Sequence, residues 1–257
     1  DWTTSNRSLH WSLSLSDHPK ITFVNGCGIG PKDNIVYCIV AYADVGHLGR
    51  LDGNGVAIVA RTPAGGTSVS ASFDEAGTFL ADTGRQIWKI AAPHELKGWS
   101  EPTPDLPELD WVGKVDLFHG ADSVIWREHL ISVKNGNVII TNLTEGDLST
   151  WQAMPNPADP MSGTFGGGYL YSGRLYFSAN SGEGTYQIEP DLQARTFIGT
   201  RVGAAFRTSR NDGLNCIFTR SPDEAAADAD SKDSGSQSSR LGAWLSILSM
   251  FEHTLYQ

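Results

Sequence analysis

The chain has 257 residues, a formal net charge of −10, 28 Gly, 8 Trp and 3 Cys, enough to bury one full core with extensions. The acidic balance, without any basic stripe, excludes a nucleic-acid partner held by counterion release from phosphates. No apolar stretch approaches the roughly 18–20 residues of a membrane span, and no Cys-x-x-Cys or Cys/His cluster offers a zinc site.

The sequence opens at Asp1 rather than Met, which reads as a mature product or a fragment from which any signal peptide has gone. Residues 8–24 predict one or two strands. Ser8–Leu15 alternates strictly, and Lys20–Val24 follows a Pro-containing turn. A faint repeat comes next. Gly77–Ile90 and Gly173–Ile188 each hold a short apolar strand, a Gly-containing turn and an alternating second strand. Degraded copies run from Asn34–Val40 to Leu51–Ile58, and from His129–Val133 through Lys134-Asn-Gly136 to Asn137–Thr141. With Val36, Phe79, Leu130 and Leu175 equivalent, the offsets are 43, 51 and 45 residues.

A period in the forties built of strands and turns is the spacing of a four-stranded propeller blade. Four units are expected at 27–65, 66–104, 112–156 and 162–200, with further strand candidates at Val202–Thr208 and Leu214–Phe218. The unpaired strands at the two ends predict a fifth, composite blade that closes the ring and removes its open edges. A sixth blade would need strands in 99–125.

The propeller is thus expected over 1–220. Residues 221–239, rich in Asp, Ala and Ser, read as a disordered acidic linker. Residues 240–257 read as a short apolar helix with Leu241, Trp244, Leu245, Leu248 and Phe251 on one face. That face is expected to dock on its own propeller or bind a protein partner. With Arg240 its only Lys or Arg, a membrane surface is the weakest of its three destinations.

The order of strands, the Gly173–Ile188 blade and the closing Asn211-Asp-Gly-Leu-Asn-Cys216 resemble an uncharacterised β-propeller-like domain family of secreted and cell-surface proteins. The resemblance covers roughly 22–218. It implies a non-catalytic extracellular role in structure, adhesion or assembly, and supplies no catalytic residues.

The residues also hold material for a different class, a propeller glycosidase or polysaccharide lyase. Thr144–Trp151 resembles the Asp-Leu-x-x-Trp hairpin of five-bladed glycosidases and the Asp-box turn of sialidases, and Gly98–Pro102 is similarly placed. In those families both are structural: the acid stabilises a turn and the Trp packs between blades. Catalysis would need two facing carboxylates, about 5–5.5 Å or roughly 6.5–9.5 Å apart. The candidates near inner strands are Asp44, Asp74, Asp116 and Asp122. His47, His119 and His129, from different units, would have to converge for a metal site, and none is expected. Calcium is the one cofactor whose oxygen ligands lie on Gly turns, at Asp52–Gly55 and Asn180–Glu183, although neither completes a binding loop. Gly166-Gly-Gly168 reads as a tight passage near the axis.

Three cysteines leave two readings: three buried thiols, or a Cys27–Cys216 bridge tying last strand to first, with Cys38 a buried thiol. The sequons at Asn6 and Asn142 are candidate glycosylation sites. The expected partners are a protein assembly or a glycan.

Overall fold

A computed structural model of the chain describes residues 17–63, 70–117, 119–144, 148–155, 161, 163–205 and 207. They form an all-β structure of four antiparallel meanders, four strands each. The first holds β1 (Ile21–Ile29), β2 (Val36–Tyr42), β3 (Val45–Asp52) and β4 (Gly55–Arg61). The second holds β5 (Ser70–Phe73), β6 (Phe79–Asp82), β7 (Gln86–Ile90) and β8 (Asp110–Lys114). The third holds β9 (Ser123–Trp126), β10 (His129–Lys134), β11 (Asn137–Asn142) and β12 (Thr150–Pro155). The fourth holds β13 (Phe165–Tyr171), β14 (Arg174–Ala179), β15 (Thr185–Asp191) and β16 (Thr196–Gly203).

The first strands of successive meanders lie side by side, β1 on β5, β5 on β9 and β9 on β13. The first two meanders are separate sheets. The last two merge through their outer strands, because β12 and β16 pair in parallel at Met154↔Thr196 and Pro155↔Phe197. The resulting eight-stranded sheet brings its edges β9 and β13 back against each other, so it is nearly closed, like a barrel.

Period-two patterning explains the packing, since successive strand residues face opposite sides. On β2, Tyr37 and Ile39 face the second meander and meet Phe73, Phe79 and Trp88, while Cys38 and Val40 face the other way with Ile21, Leu51 and Ile58. The third and fourth meanders share a core around Ile131, Ile140, Phe165, Phe177 and Phe197. A smaller cluster of Leu80, Ile87, Ile125 and Leu130 joins the second to the third. Each of the fully buried aromatics contributes about 1.5–3 kcal/mol.

The repeat reads correctly at its reference points: Val36, Phe79, Leu130 and Leu175 all lie on the second strand of a meander. Its boundaries need correction. Lys20–Val24 is the start of β1 rather than a separate N-terminal strand, and Leu51–Ile58 is the β3–β4 hairpin. Region 99–125 holds β8 and the start of β9, which complete the second meander and open the third, so it supplies no further unit. Val202 and Gly203 end β16. The expected strands at 8–15 and Leu214–Phe218, and the segments 221–239 and 240–257, lie outside the described residues.

The cysteine pairing is also corrected. Cys27 and Cys38 form a disulfide, S–S 2.07 Å, between adjacent strands β1 and β2, where they are direct register partners with Cα atoms 4.1 Å apart. Both are fully buried. Cys27 is therefore not bridged to Cys216, which lies outside the described residues, and Cys38 is not a thiol. Gly168 occupies a tight passage, since a Cβ there would stand 2.7 Å from the Phe177 ring and 2.9 Å from Val124.

Candidate functional site

The acids expected to carry catalysis are dispersed, and most hold turns or strands together. Asp44 is exposed in the β2–β3 turn, where its carboxylate accepts the Thr22 hydroxyl at 3.1 Å. Asp74 follows β5 and closes the turn to β6 by accepting the Thr78 N–H at 2.8 Å. Asp116 is exposed beyond β8, and its backbone carbonyl accepts from Arg85 at 3.3 Å.

Asp122 alone reaches the inner strands. It is 1% exposed and sits just before β9. One carboxylate oxygen accepts the Ser70 hydroxyl of β5 at 2.8 Å and the Ser123 N–H at 2.9 Å. The other accepts the Gly168 N–H of β13 in a short bond. Ser123 N–H also donates to Ser70 Oγ at 2.7 Å, and Ile125 N–H donates to Ser72 Oγ at 3.3 Å. Asp122 is thus a staple across three inner strands. A buried carboxylate with both oxygens occupied by donors is poorly placed to take a proton from a substrate.

The three histidines do not converge. His119, fully buried in the β8–β9 connection, joins Asp82 through Nδ1 at 2.5 Å and Thr141 through Nε2 at 2.8 Å, and Thr141 continues to Thr150 at 2.9 Å. A carboxylate only accepts, so Nδ1 carries a proton. The order Asp–His–hydroxyl matches a nucleophilic triad, but Thr141 and His119 have no exposed surface. The chain of bonds instead locks the β6–β7 turn of the second meander to β11 of the third. His47 is buried on β3, with Nδ1 2.8 Å from the Val45 carbonyl.

His129 belongs to a different grouping, one that the sequence did not announce. At the end of the third meander its ring meets Trp151 edge-on at 5.9 Å. Arg195 stacks over Trp151 at 5.3 Å, and Arg127 stacks over Trp126 at 4.3 Å. Trp126 donates to the Gly173 carbonyl at 3.2 Å, bracing the third meander against the fourth. Beside this strip an open cleft of about 500 Å³ is lined by Trp126, Arg127, Glu189, Asp191, Leu192 and Ile198. His129 Nδ1 and Trp151 Nε1 are both buried with no hydrogen-bond partner among the described residues. Exposed Met154 and Ile198 extend the apolar part along the outer strands. Paired cations, indole rings and apolar side chains suit recognition, not proton transfer. The only sequence signal for it is Trp151, whose resemblance to a glycosidase motif implies a structural role.

Burial lowers the affinity of both His47 and His129 for a proton; the Val45 carbonyl opposes it at His47 and Glu128 at His129, while Arg61 and Arg127 act with it. Both are neutral in the fold at pH 7. Above pH about 6.5 they are neutral folded or unfolded and contribute nothing. Below it the unfolded chain takes up protons the fold refuses, so stability falls as pH falls. Thermal unfolding should thus show a lower midpoint at pH 5 than at pH 7, and the His47→Gln/His129→Gln variant should flatten that slope between pH 5 and 6.5. An unchanged slope would exclude both histidines as its source.

Neither turn considered for calcium has a free ligand set. Asp52 accepts the Asn54 N–H at 2.7 Å. Glu183 takes a short bond from the Ser181 hydroxyl, which holds its carboxyl below the usual range. Among the described residues no three His, Cys, Asp or Glu side chains cluster as a metal site.

No family model matches the chain, and no curated protein matches it. Solved structures similar to it include "a putative 6-phosphogluconolactonase from Bacteroides uniformis", at 10% identity and a TM-score of 0.35. That likeness covers 74% of this chain and 56% of the other, so the chain spans little more than half of that protein's length. Similarity at this level bears on neither chemistry nor ligand.

Proposed function

We propose that this chain is a non-catalytic extracellular module, a five-bladed β-propeller in architecture, that serves in structure, adhesion or assembly. The observation that carries the proposal is the use of Asp122: the one candidate acid at the inner strands is consumed in joining them. Asp44, Asp74 and Asp116 stand on other turns, so the four candidate acids offer a glycosidase or lyase reading no second carboxylate beside Asp122 at the inner strands. The Cys27–Cys38 disulfide fits an oxidising compartment such as the cell exterior.

The propeller reading draws on the meanders laid first strand against first strand. A composite fifth blade from the chain ends would cover the face of the first meander turned from the second, where Ile21, Ile29, Val40 and Ile58 are buried. The ligand is a protein or glycan surface, and the pattern Leu241, Trp244, Leu245, Leu248 and Phe251 makes 240–257 the segment that engages a neighbour.

The test is the native mass by light scattering, with and without residues 221–257. A mass above one chain that falls to one chain on deletion is the expected result. A monomer in both forms, together with polysaccharide cleavage lost in Asp74→Asn or Asp116→Asn, would overturn the proposal in favour of an enzyme.

A further inference from the structure

We infer that Asn142 is an N-glycan acceptor, so that the module carries a sugar at the end of its third meander beside the Trp–Arg strip. The inference rests on the extracellular reading above and adds to it a modification site. Asn142 is the last residue of β11 and begins the sequon Asn142-Leu143-Thr144. Its side-chain oxygen accepts the Thr144 N–H at 2.8 Å, closing an Asx turn. Its backbone N–H donates to the Ser149 carbonyl at 2.9 Å, and Leu143 N–H donates to the Glu128 carbonyl at 2.8 Å. The backbone is therefore anchored on both sides, while the side-chain amide nitrogen, the atom that would be glycosylated, takes no part in these bonds.

Burial agrees with this assignment. Asn142 is half-buried at its strand end, Thr144 is exposed, and Leu143 packs inward against the cluster between the second and third meanders. A sugar on the nitrogen displaces none of the bonds described. The location adds a consequence. Asn142 is the register partner of His129, which in turn pairs with Trp126. A glycan there would stand next to the strip of Trp126, Arg127, Trp151 and Arg195 and restrict what approaches it.

Translation of the full chain behind a cleavable secretory leader, in the presence of microsomes, tests the acceptor directly. The leader delivers the chain to the lumen whatever its natural destination. An endoglycosidase-sensitive mass increment should be lost in Asn142→Gln and in Thr144→Ala, and kept in Thr144→Ser. Thr144→Ala is the decisive variant, because it retains the backbone N–H that closes the turn and removes the hydroxyl the transferase requires, while Thr144→Ser controls for the methyl lost with it. Asn6→Gln separates the other sequon. A wild-type chain whose Cys27–Cys38 bond forms in the lumen, yet whose only increment disappears with Asn6→Gln, would overturn the inference and leave the extracellular reading standing. Free Cys27 and Cys38 thiols in the protein from its natural source would overturn that reading without bearing on the acceptor.

Discussion

Asp122→Ala is expected to destabilise the fold by about 3 kcal/mol. It strands the buried Gly168 N–H at about 1–3 kcal/mol and removes two further buried hydrogen bonds, from Ser70 and Ser123, at about 0.5–1.5 kcal/mol each. The Ser70 hydroxyl keeps partners in Ser123, and Ser123 N–H keeps Ser70, so part of the loss there is recovered. The Gly168 N–H has no such substitute in the bonds described for it. For a chain of this size the midpoint should drop by roughly 6–12 °C. Asp122→Asn should also be costly, because half of its amide donates where the fold needs an acceptor. Asp116→Asn, on an exposed side chain, should stay within about 0.5 kcal/mol of wild type. Thermal or urea unfolding of the three variants decides the matter. A wild-type midpoint in Asp122→Ala would show that the three inner strands do not depend on this staple.

Loss of the disulfide should be of comparable size. Cys27 and Cys38 are separated by 11 residues, and closing a loop of that length restricts the unfolded chain by about 3 kcal/mol on the chain-entropy account. Replacing both by alanine should lower stability by that amount and by a further contribution from the two cavities, since both sulfurs lie in the cluster with Val40, Leu51 and Ile58. Alkylation of the denatured, unreduced protein should leave both residues unlabelled. A peptide map that joins Cys27 to Cys216 would contradict the pairing.

What the sequence disclosed depended on whether a turn carried its usual chemistry. Asn135-Gly136, with φ of 51° and 77°, is the turn that Asn-Gly favours, and β10 and β11 were legible on either side of it. Ala43-Asp44 makes the same kind of turn, with φ of 47° and 66°, from residues that do not advertise it. The strand that follows, β3, is therefore silent in the sequence, and the Leu51–Ile58 hairpin passes for the second half of the repeat. β8 was hidden for another reason: Trp111 and Val112 lie at the surface or half-buried, so Asp110–Lys114 lacks a buried alternation.

Cysteine pairing was illegible because of a bulge. Asn25 faces Ile39, and an unbroken register would set Cys27 opposite Tyr37. The extra residue at Gly26, with φ of 58°, shifts it by one to face Cys38. Asp122 shows the opposite case. Its position near the inner strands was readable, but its role depends on Ser70 and Gly168, which lie 52 and 46 residues away. The Trp151–Arg195 stack likewise forms only when the third and fourth meanders come together.

The parallel pairing of β12 with β16 has a consequence for how the molecule opens. The third and fourth meanders share a stretch of parallel ladder at their rims and a common core, and the first and second are likewise joined by a core and by main-chain bonds, between Ile58 and Trp99 and from Arg61 to Pro107 and Leu109. Separating the third and fourth requires breaking main-chain hydrogen bonds as well as exposing Phe165, Phe177 and Phe197 to water. The same holds for the first two, so each pair is expected to exchange its amides with solvent as one foldon. The aromatic strip and Asn142 both lie on the second of these units, so they keep or lose their setting together.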